Sequence, residues 1–364
     1  MPVVVPFNDL RRGRADDTEL RAAVDRVVTS GWYVHGPQHE AFEEEFAAYC
    51  GVSNCVGVAS GTDALEIALR ALAPSEGGAV LTAANAGGYT TVAARRAGLS
   101  VRFADIDRST GNLDVDDVRR RLDGVAILVV THLYGRLGPV EELAQLCQER
   151  GVALLEDCAQ AAGAVRGGRF AGSFGAAASF SFYPTKNLGA LGDGGAVVTS
   201  DPALADTLRN LRQYGWGDKY AIDVDGGRNS RLDELQAAVL RVGLHRLDAD
   251  NARRRDIVNC YAEAAAQSGA VRMLHVSGSE HVAHLAVGVT ADRDGVRAAL
   301  TEAGVQTVVH YPIADHLQVA YRGEYHDVHL PETEELLQQV FSLPCFPLLT
   351  DDEVRTVCHA LRAL

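Results

Sequence analysis

Lysine is rare in this sequence, and one lysine lies in a segment that could support nucleophilic chemistry. Lysine and arginine together total 34 residues, and only Lys186 and Lys219 are lysines. Lys186 follows Pro184 in a stretch that becomes rich in glycine further on, which predicts a loop. Lysine, unlike arginine, can lose its proton and form a Schiff base with a carbonyl compound. Lys186 is therefore a candidate nucleophile, and the alternative interpretation is a solvated loop lysine.

Two carboxylates lie near the end of an apolar segment. The segment VALLEDC (152–158) reads as a buried strand with Glu156 and Asp157 near its end, and Gln160 follows. A carboxylate at the end of a buried strand needs a partner. Three interpretations stay open for this pair: contact with a cationic heterocycle, ligation of a metal ion, and an ordinary salt bridge or helix cap.

Hydroxyl and amide groups occur in three further segments. SGTD (60–63) joins a predicted strand to a predicted helix. Free amides at a helix start suit a phosphate, although an ordinary N-cap has the same pattern. Alternation in SFSFY (179–183) places Ser181 on the face opposite the two phenylalanines. GRNSRL (227–232), which contains Asn229, precedes a helix and by itself predicts an N-cap.

Hydrophobic patterning predicts the elements that must position these residues. Continuous Val/Ile/Leu runs alternate with amphipathic segments along most of the chain, which indicates a parallel sheet covered by helices on both faces. Open parallel sheets bind ligands beyond the carboxyl ends of their strands, and the candidate residues follow such strands. The predicted strands of this sheet are 55–60, 79–84, 101–106, 125–133, 152–158, 179–183 and 194–200.

A change of pattern after about residue 270 predicts a second, smaller unit, because short strand-like and helix-like segments mix from there on. We therefore expect an α/β protein with two domains. The large domain spans 15–245, and a smaller α+β domain spans 246–364. The N-terminal segment 1–14 is expected to pack on the small domain.

Composition and charge argue against several classes of protein. A net charge of −14 disfavours a general nucleic-acid binder, and no apolar run is long enough to span a membrane. Seven scattered cysteines without a C-x-x-C pair indicate reduced thiols and a cytoplasmic protein. The pairs His35/His39 and His326/His329 lack a third ligand nearby, so we expect no metal site.

In order and spacing, these segments resemble the sugar aminotransferases of the DegT/StrS-like family, which are fold-type I pyridoxal-phosphate (PLP) enzymes. The resemblance covers about 20–360 and is most specific around Lys186. It rests on SGTDALEIALRAL, THLYGRLGPVEEL, LLEDCAQAAGA, GSFGAAASFSFYPTKNLGALGDGGAVVT, NSRLDELQAAVL, VHYPIADHLQVAY and SLPCFPLLTDDEV.

The resemblance implies a homodimeric, PLP-dependent aminotransferase of amino-deoxysugar biosynthesis, for example for an antibiotic. Such an enzyme transfers an amino group from glutamate, or less often from glutamine, to a nucleotide-linked keto-sugar, here a dTDP-linked one. The form of the segment around Lys186 is more similar to enzymes that act at the C-3 ketone than to those that act at C-4.

The resemblance also implies a role for each candidate at the cofactor ring. Lys186 holds PLP as a Schiff base and moves the proton between substrate and cofactor. Asp157 pairs with the protonated pyridine nitrogen and keeps the ring an electron sink. Gln160 lies beside the ring near its phenolic oxygen. The family usually stacks an aromatic side chain on the ring, but here a glycine occupies that place and Tyr89, two positions later, is the candidate.

The remaining roles concern the phosphate and the substrate. By resemblance the amides of Gly61 and Thr62 and the hydroxyl of Ser181 hold the cofactor phosphate, and Asn229 reaches the phosphate of the neighbouring subunit. Three further residues resemble positions near the sugar-nucleotide entrance: His310, Tyr311 and His316.

Three other functions fit the sequence less well. A PLP-dependent sugar dehydratase of the same family carries histidine in place of the Schiff-base lysine, so Lys186 counts against it. A non-catalytic PLP-binding or regulatory protein would need no lysine. An NAD-dependent oxidoreductase is disfavoured because the G-x-G-x-x-G pattern is absent. The arginine clusters 119–121 and 253–255 are expected to be solvated helix faces.

Overall fold

The computed structural model describes residues 4–13, 17–74, 77–274 and 278–364. The predicted start of the large domain at residue 15 and part of the predicted N-terminal segment lie outside these ranges.

The helices of the described residues are α1 (Thr18–Ser30), α2 (Pro37–Cys50), α3 (Gly61–Leu72), α4 (Tyr89–Arg96), α5 (Val115–Arg121), α6 (Val140–Arg150), α7 (Pro202–Leu211), α8 (Glu234–Leu244), α9 (Leu247–Ser268), α10 (Arg293–Glu302), α11 (Pro331–Gln339) and α12 (Asp351–Arg362). The strands are β1 (Asn54–Val58), β2 (Ala79–Ala83), β3 (Ser100–Ala104), β4 (Ile106–Asp107), β5 (Asn112–Leu113), β6 (Val125–Thr131), β7 (Ala153–Asp157), β8 (Val165–Arg166), β9 (Arg169–Phe170), β10 (Ala177–Ser181), β11 (Gly195–Thr199), β12 (Arg272–Met273), β13 (Ala286–Val289) and β14 (Val340–Leu343).

A seven-stranded sheet in the order β1-β11-β10-β7-β6-β2-β3 forms the centre of the molecule. The pairs β10/β7, β7/β6, β6/β2 and β2/β3 are parallel, whereas β11 is antiparallel to both of its neighbours. Its strands are largely apolar and buried because helices cover both faces, as expected for a parallel sheet. The predicted α/β fold with a mostly parallel central sheet is confirmed.

The register of the sheet brings polar residues to one edge. Thr131 at the end of β6 pairs with Asp157 at the end of β7, and Asp157 pairs with Ser179 of β10. On the other side Ser181 and Val58 both pair with Gly195. The carboxyl ends of β1, β6, β7 and β10 therefore meet, as the sequence predicted.

A second, antiparallel sheet, β12-β13-β14, lies in the C-terminal part of the chain. The N-terminal segment contacts this part, since Val5 forms a bridge with Val305 and Phe7 stacks on His310 at 5.7 Å. The predicted boundary between residues 245 and 246 falls between α8 and α9 and stays a prediction.

The seven cysteines are free thiols in the structure. Among the helices of the described residues, none combines the length and the apolar character needed to cross a bilayer.

Candidate active site

A cavity of about 590 Å³ opens at the carboxyl edge of the central sheet. It brings together residues that the sequence singled out in separate segments. Those that line it are Gly61, Thr62, Tyr89, Asp157, Gln160, Ser181, Lys186, His310 and Tyr311.

Lys186 lies in the turn that follows β10, where its backbone amide donates to the carbonyl of Tyr183 at 2.8 Å. Desolvation lowers the pKa of Lys186 to about 8, and the nearby charge of Asp157 opposes part of that shift. An amine with this pKa is partly neutral near physiological pH, so it can act as a nucleophile or a proton carrier.

Asp157 ends β7 and is buried against the cavity. Its carboxylate accepts hydrogen bonds from the hydroxyl of Thr131 at 3.2 Å and from the amide of Ala159 at 3.1 Å. Burial raises the pKa of Asp157, although these bonds and the charge of Lys186 act in the opposite direction. The carboxylate therefore favours a cation in the cavity, such as a protonated heterocycle.

The start of α3 forms a tight cradle with β10. Ser60 caps the helix, its hydroxyl accepting from the amide of Asp63 at 3.2 Å, and the amides of Gly61 and Thr62 come before that capped position. A Cβ at position 61 would lie 2.5 Å from the Cβ of Ser181, so only glycine fits there. Free helix amides beside a hydroxyl make a site for an anion.

Gln160 is held at both ends of its amide group. Its oxygen accepts from the backbone amide of Tyr134 at 2.6 Å, and its nitrogen donates to the hydroxyl of Tyr311 at 3.0 Å. The ring of Tyr311 lies against Gly87, where a Cβ would come within 2.9 Å of it. Tyr89 meets the same ring edge-on, with centroids 6.2 Å apart, and is half exposed. Tyr311 thus occupies space that a side chain at position 87 would need.

The other predicted substrate and partner residues differ in position. His310 lines the cavity, its Nδ1 is 3.0 Å from the hydroxyl of Ser342, and burial lowers its pKa to about 4. His316 is buried, but it does not line the cavity and its Nε2 contacts Glu334 at 3.1 Å. Asn229 is exposed and lies outside the cavity lining.

The prediction of a solvated helix face over 253–255 is wrong for Arg254, which lines the cavity and is only 5% exposed. The signal that could have found it is the buried stripe of α9, because Arg254 lies on the same helix face as Asn251, Val258 and Tyr261. His284, which also lines the cavity, was likewise not singled out in the sequence.

Glu156 has a structural environment rather than a catalytic one. Its carboxylate accepts from the amides of Gly172, Phe174 and Gly175 at 2.7–2.9 Å and lies 3.0 Å from Nε2 of His132. Burial alone raises its pKa, but the hydrogen bonds from His132 and the amides outweigh burial and lower it. Among the described residues, His132, Glu156 and Cys158 are close enough together to hold a metal ion. The carboxylate of Glu156 is already occupied by the hydrogen bonds given above.

The family model of the DegT/DnrJ/EryC1/StrS aminotransferase family matches residues 14–362. The chain is 42% identical to the erythromycin biosynthesis sensory transduction protein EryC1 of Saccharopolyspora erythraea, over 99% of both chains. It is 40% identical to dTDP-3-amino-3,4,6-trideoxy-alpha-D-glucose transaminase of Streptomyces venezuelae, over 98% of this chain and 95% of the relative. It is 39% identical to dTDP-3-amino-3,6-dideoxy-alpha-D-galactopyranose transaminase of Aneurinibacillus thermoaerophilus, over 98% and 99% of the two chains.

Solved structures of other proteins have a similar fold. A crystal structure of DesV from S. venezuelae superposes with a TM-score of 0.95 at 40% identity and covers 100% of this chain and 98% of that one. NtdA from Bacillus subtilis, solved with bound cofactor PMP, superposes with a TM-score of 0.92 at 28% identity over 98% and 84% of the chains.

Proposed function

The chain belongs to the DegT/DnrJ/EryC1/StrS aminotransferase family, and we propose that it transfers an amino group from glutamate to the C-3 ketone of a dTDP-linked keto-sugar. The cofactor of this family is PLP, whose amine form PMP is bound in NtdA. Support for C-3 comes from the two transaminases named above, both of which are named for dTDP-3-amino sugars.

The residues of the cavity fit PLP. The cradle that a Cβ at Gly61 would fill matches a phosphate, and the buried carboxylate of Asp157 matches a protonated ring nitrogen. Lys186 lines the same cavity as these sites and has the lowered pKa that Schiff-base lysines need. When bound, PLP supplies an electron sink for the carbanion at the carbon that carries the amine.

The side chains of this chain have distinct tasks in the transfer. Lys186 moves the proton, because a pKa of about 8 lets its Nζ both accept and release one near neutral pH. Asp157 provides the negative charge that keeps a ring nitrogen protonated. Gln160 orients the hydroxyl of Tyr311, to which it donates at 3.0 Å.

The observation that carries the proposal is the lysine of lowered pKa beside a buried aspartate in one cavity. The test is borohydride reduction of the protein with PLP, followed by peptide mass mapping. Reduction should give a pyridoxyl adduct on Lys186. In a separate, unreduced sample, the visible absorption should disappear on addition of glutamate and return on addition of a 3-keto dTDP-sugar. Lys219 is an internal control because it is the other lysine of the chain and does not line the cavity. An adduct on Lys186 without any reaction with glutamate or another amino acid would favour the non-catalytic or regulatory protein.

The proposal includes a homodimer in which Asn229 completes the phosphate site of the partner. Asn229 is exposed and follows Arg228, which forms a salt bridge with Asp63 at the start of α3 at 3.1 Å. The same loop exposes Tyr220 and Ile222, at 75% and 68% of their surfaces, and such apolar exposure supports an interface.

A further inference from the structure

We propose that Arg254 binds the α-carboxylate of the amino donor. This inference rests on the proposed function, because it assigns the donor end of the same cavity. Arg254 lies on α9 and is 5% exposed where it lines the cavity. Burial of a guanidinium costs desolvation free energy unless an anion pairs with it.

The described residues do not supply that anion. One terminal nitrogen of Arg254 donates to the carbonyl of Cys345 at 2.5 Å and approaches that of His284 at 3.5 Å. The Nε has no hydrogen-bond partner among the described residues. Asp250, one turn earlier on α9, acts to raise the pKa of Arg254 through its charge, but the two side chains form no salt bridge within 4.0 Å. A planar guanidinium with free N–H groups can bind a carboxylate through two parallel hydrogen bonds.

The position of Arg254 relative to Lys186 indicates which anion it binds. Asn187, the neighbour of Lys186, donates to Asn251 of α9 at 2.7 Å and contacts Nδ1 of His284 at 2.9 Å. Arg254 follows Asn251 by three residues on the same face of α9, and its guanidinium approaches the carbonyl of His284. These contacts place Arg254 on the lysine side of the cavity.

The covalent structure of the candidate anions indicates which of them comes close to Lys186. The α-carboxylate of an amino acid is attached to the same carbon as the amine, so it must lie close to Lys186. The diphosphate of a nucleotide-sugar is several bonds away from a C-3 ketone. The cofactor phosphate has its own cradle at Gly61 and Ser181. The donor carboxylate is therefore the anion that must come closest to Lys186.

The test separates the two half-reactions of the holoenzyme and compares glutamate with its α-amide, isoglutamine. In the wild type, we expect glutamate to react about 100-fold more efficiently than isoglutamine, as a charge-assisted, two-point contact predicts. Arg254→Gln should reduce the efficiency with glutamate by a similar factor and bring the ratio of the two donors close to one. The reaction of the amine-loaded enzyme with the keto-sugar should change by less than about threefold, because the sugar does not use this contact.

Arg253→Gln is the matched control. Arg253 is adjacent on α9 but directs its guanidinium to Asp351 at 2.6 Å, at the surface. It should leave the donor ratio unchanged. Arg254→Lys keeps the charge without the fork and should give an intermediate ratio, which also covers the case in which Arg254→Gln fails to fold.

The outcomes distinguish this inference from the function on which it rests. A wild-type donor ratio in folded Arg254 variants would overturn the role of Arg254 and leave the transaminase standing. If another amino acid replaces glutamate as donor, the same comparison with its α-amide decides the role of Arg254. If no amino acid reacts, the proposed function is wrong, and calorimetric titration of glutarate into wild type and Arg254→Gln tests the carboxylate site alone.

Discussion

Burial acts in opposite directions on the two charged residues at the centre of the cavity. It lowers the pKa of Lys186 to about 8 and raises that of Asp157, while each charge favours the ionised form of the other. Lys186 can therefore release a proton near neutral pH, while Asp157 offers a negative charge to a cation in the same cavity.

The lowered pKa of Lys186 predicts how cofactor-free protein captures PLP as pH changes. The neutral amine is the reactive form, so the capture rate should rise about tenfold per pH unit below pH 8 and level off above it. Stopped-flow absorption between pH 6 and pH 10 measures this profile. Lys219→Ala is the control and should give the same curve, whereas a rise that continues to 10.5, the ordinary lysine value, would contradict the prediction.

The charge of Asp157 should matter more than its shape. Asp157→Asn keeps the size of the side chain and one acceptor for Thr131 or Ala159, but it removes the anion that holds a ring nitrogen protonated. Removal of one preorganised electrostatic group typically reduces turnover by about 10²–10³-fold. Steady-state kinetics should show this loss while circular dichroism and PLP content stay unchanged, and a wild-type rate would remove Asp157 from this role.

Sequence reasoning found the residues whose position follows from the sheet. Asp157 lies near the end of one predicted strand and Ser181 lies within another, so their place near the ligand edge could be predicted. Arg254 could not be told from Arg253 by type, since both are arginines on one helix. Only the direction in which each side chain leaves α9 makes one buried and the other partly exposed.

At the level of elements, the join between β1 and α3 leaves no room for a side chain at position 61. A Cβ at Gly61 would meet the backbone Cα of Ser181 at 3.0 Å as well as its side chain, and β10 is fixed by pairing on both sides. Gly61→Ala should therefore displace Ser181 or α3 and weaken PLP binding, by about tenfold or more if one charge-assisted bond is lost. Equilibrium dialysis measures the affinity.

Gly323→Ala is the control for this change, because a Cβ at position 323 meets no atom within 4 Å. It should leave PLP affinity unchanged. Tight binding by Gly61→Ala would show that the phosphate does not depend on the close approach of α3 and β10.

The strands were the elements that sequence predicted best, because strands buried on both faces read as unbroken apolar runs. Contacts that depend on loops were not predictable in the same way. The ring of Tyr311 against Gly87 joins positions that are far apart in the sequence. His316 belongs to the same motif as Tyr311, yet its Nε2 contacts Glu334 and it does not line the cavity.

Across the whole molecule, the N-terminal segment is tied to the C-terminal helix by an ion pair. Both carboxylate oxygens of Glu353 accept from the guanidinium of Arg12 at 2.7 Å, and Glu353 also accepts from the amide of Thr350 at 2.9 Å. The hydrogen bond from Arg12 is the main cause that lowers the pKa of Glu353 to about 2. A carboxyl with a lowered folded pKa stabilises the fold fully above its ordinary value and loses that effect as pH falls.

Glu353→Gln should therefore lower the free energy of unfolding at pH 6, and the difference from wild type should shrink as pH falls from 4.5, the ordinary glutamate value, towards 2. Urea denaturation at pH 6, 4 and 3 measures it. Asp352→Asn, on the same helix and exposed, is the control and should have little effect. A difference that does not change with pH would mean that the charge of Glu353 contributes nothing.

The proposed dimer makes the strongest prediction about the assembly. If Asn229 completes the partner's site, Lys186→Ala and Asn229→Ala each inactivate a different part of a shared site. In a symmetric dimer, a mixed pair then has one site with both changes and one intact site. Equal mixing forms half mixed dimers, so activity should recover to about a quarter of wild type. Native mass spectrometry confirms subunit exchange, and exchange without recovery would place the whole site within one chain.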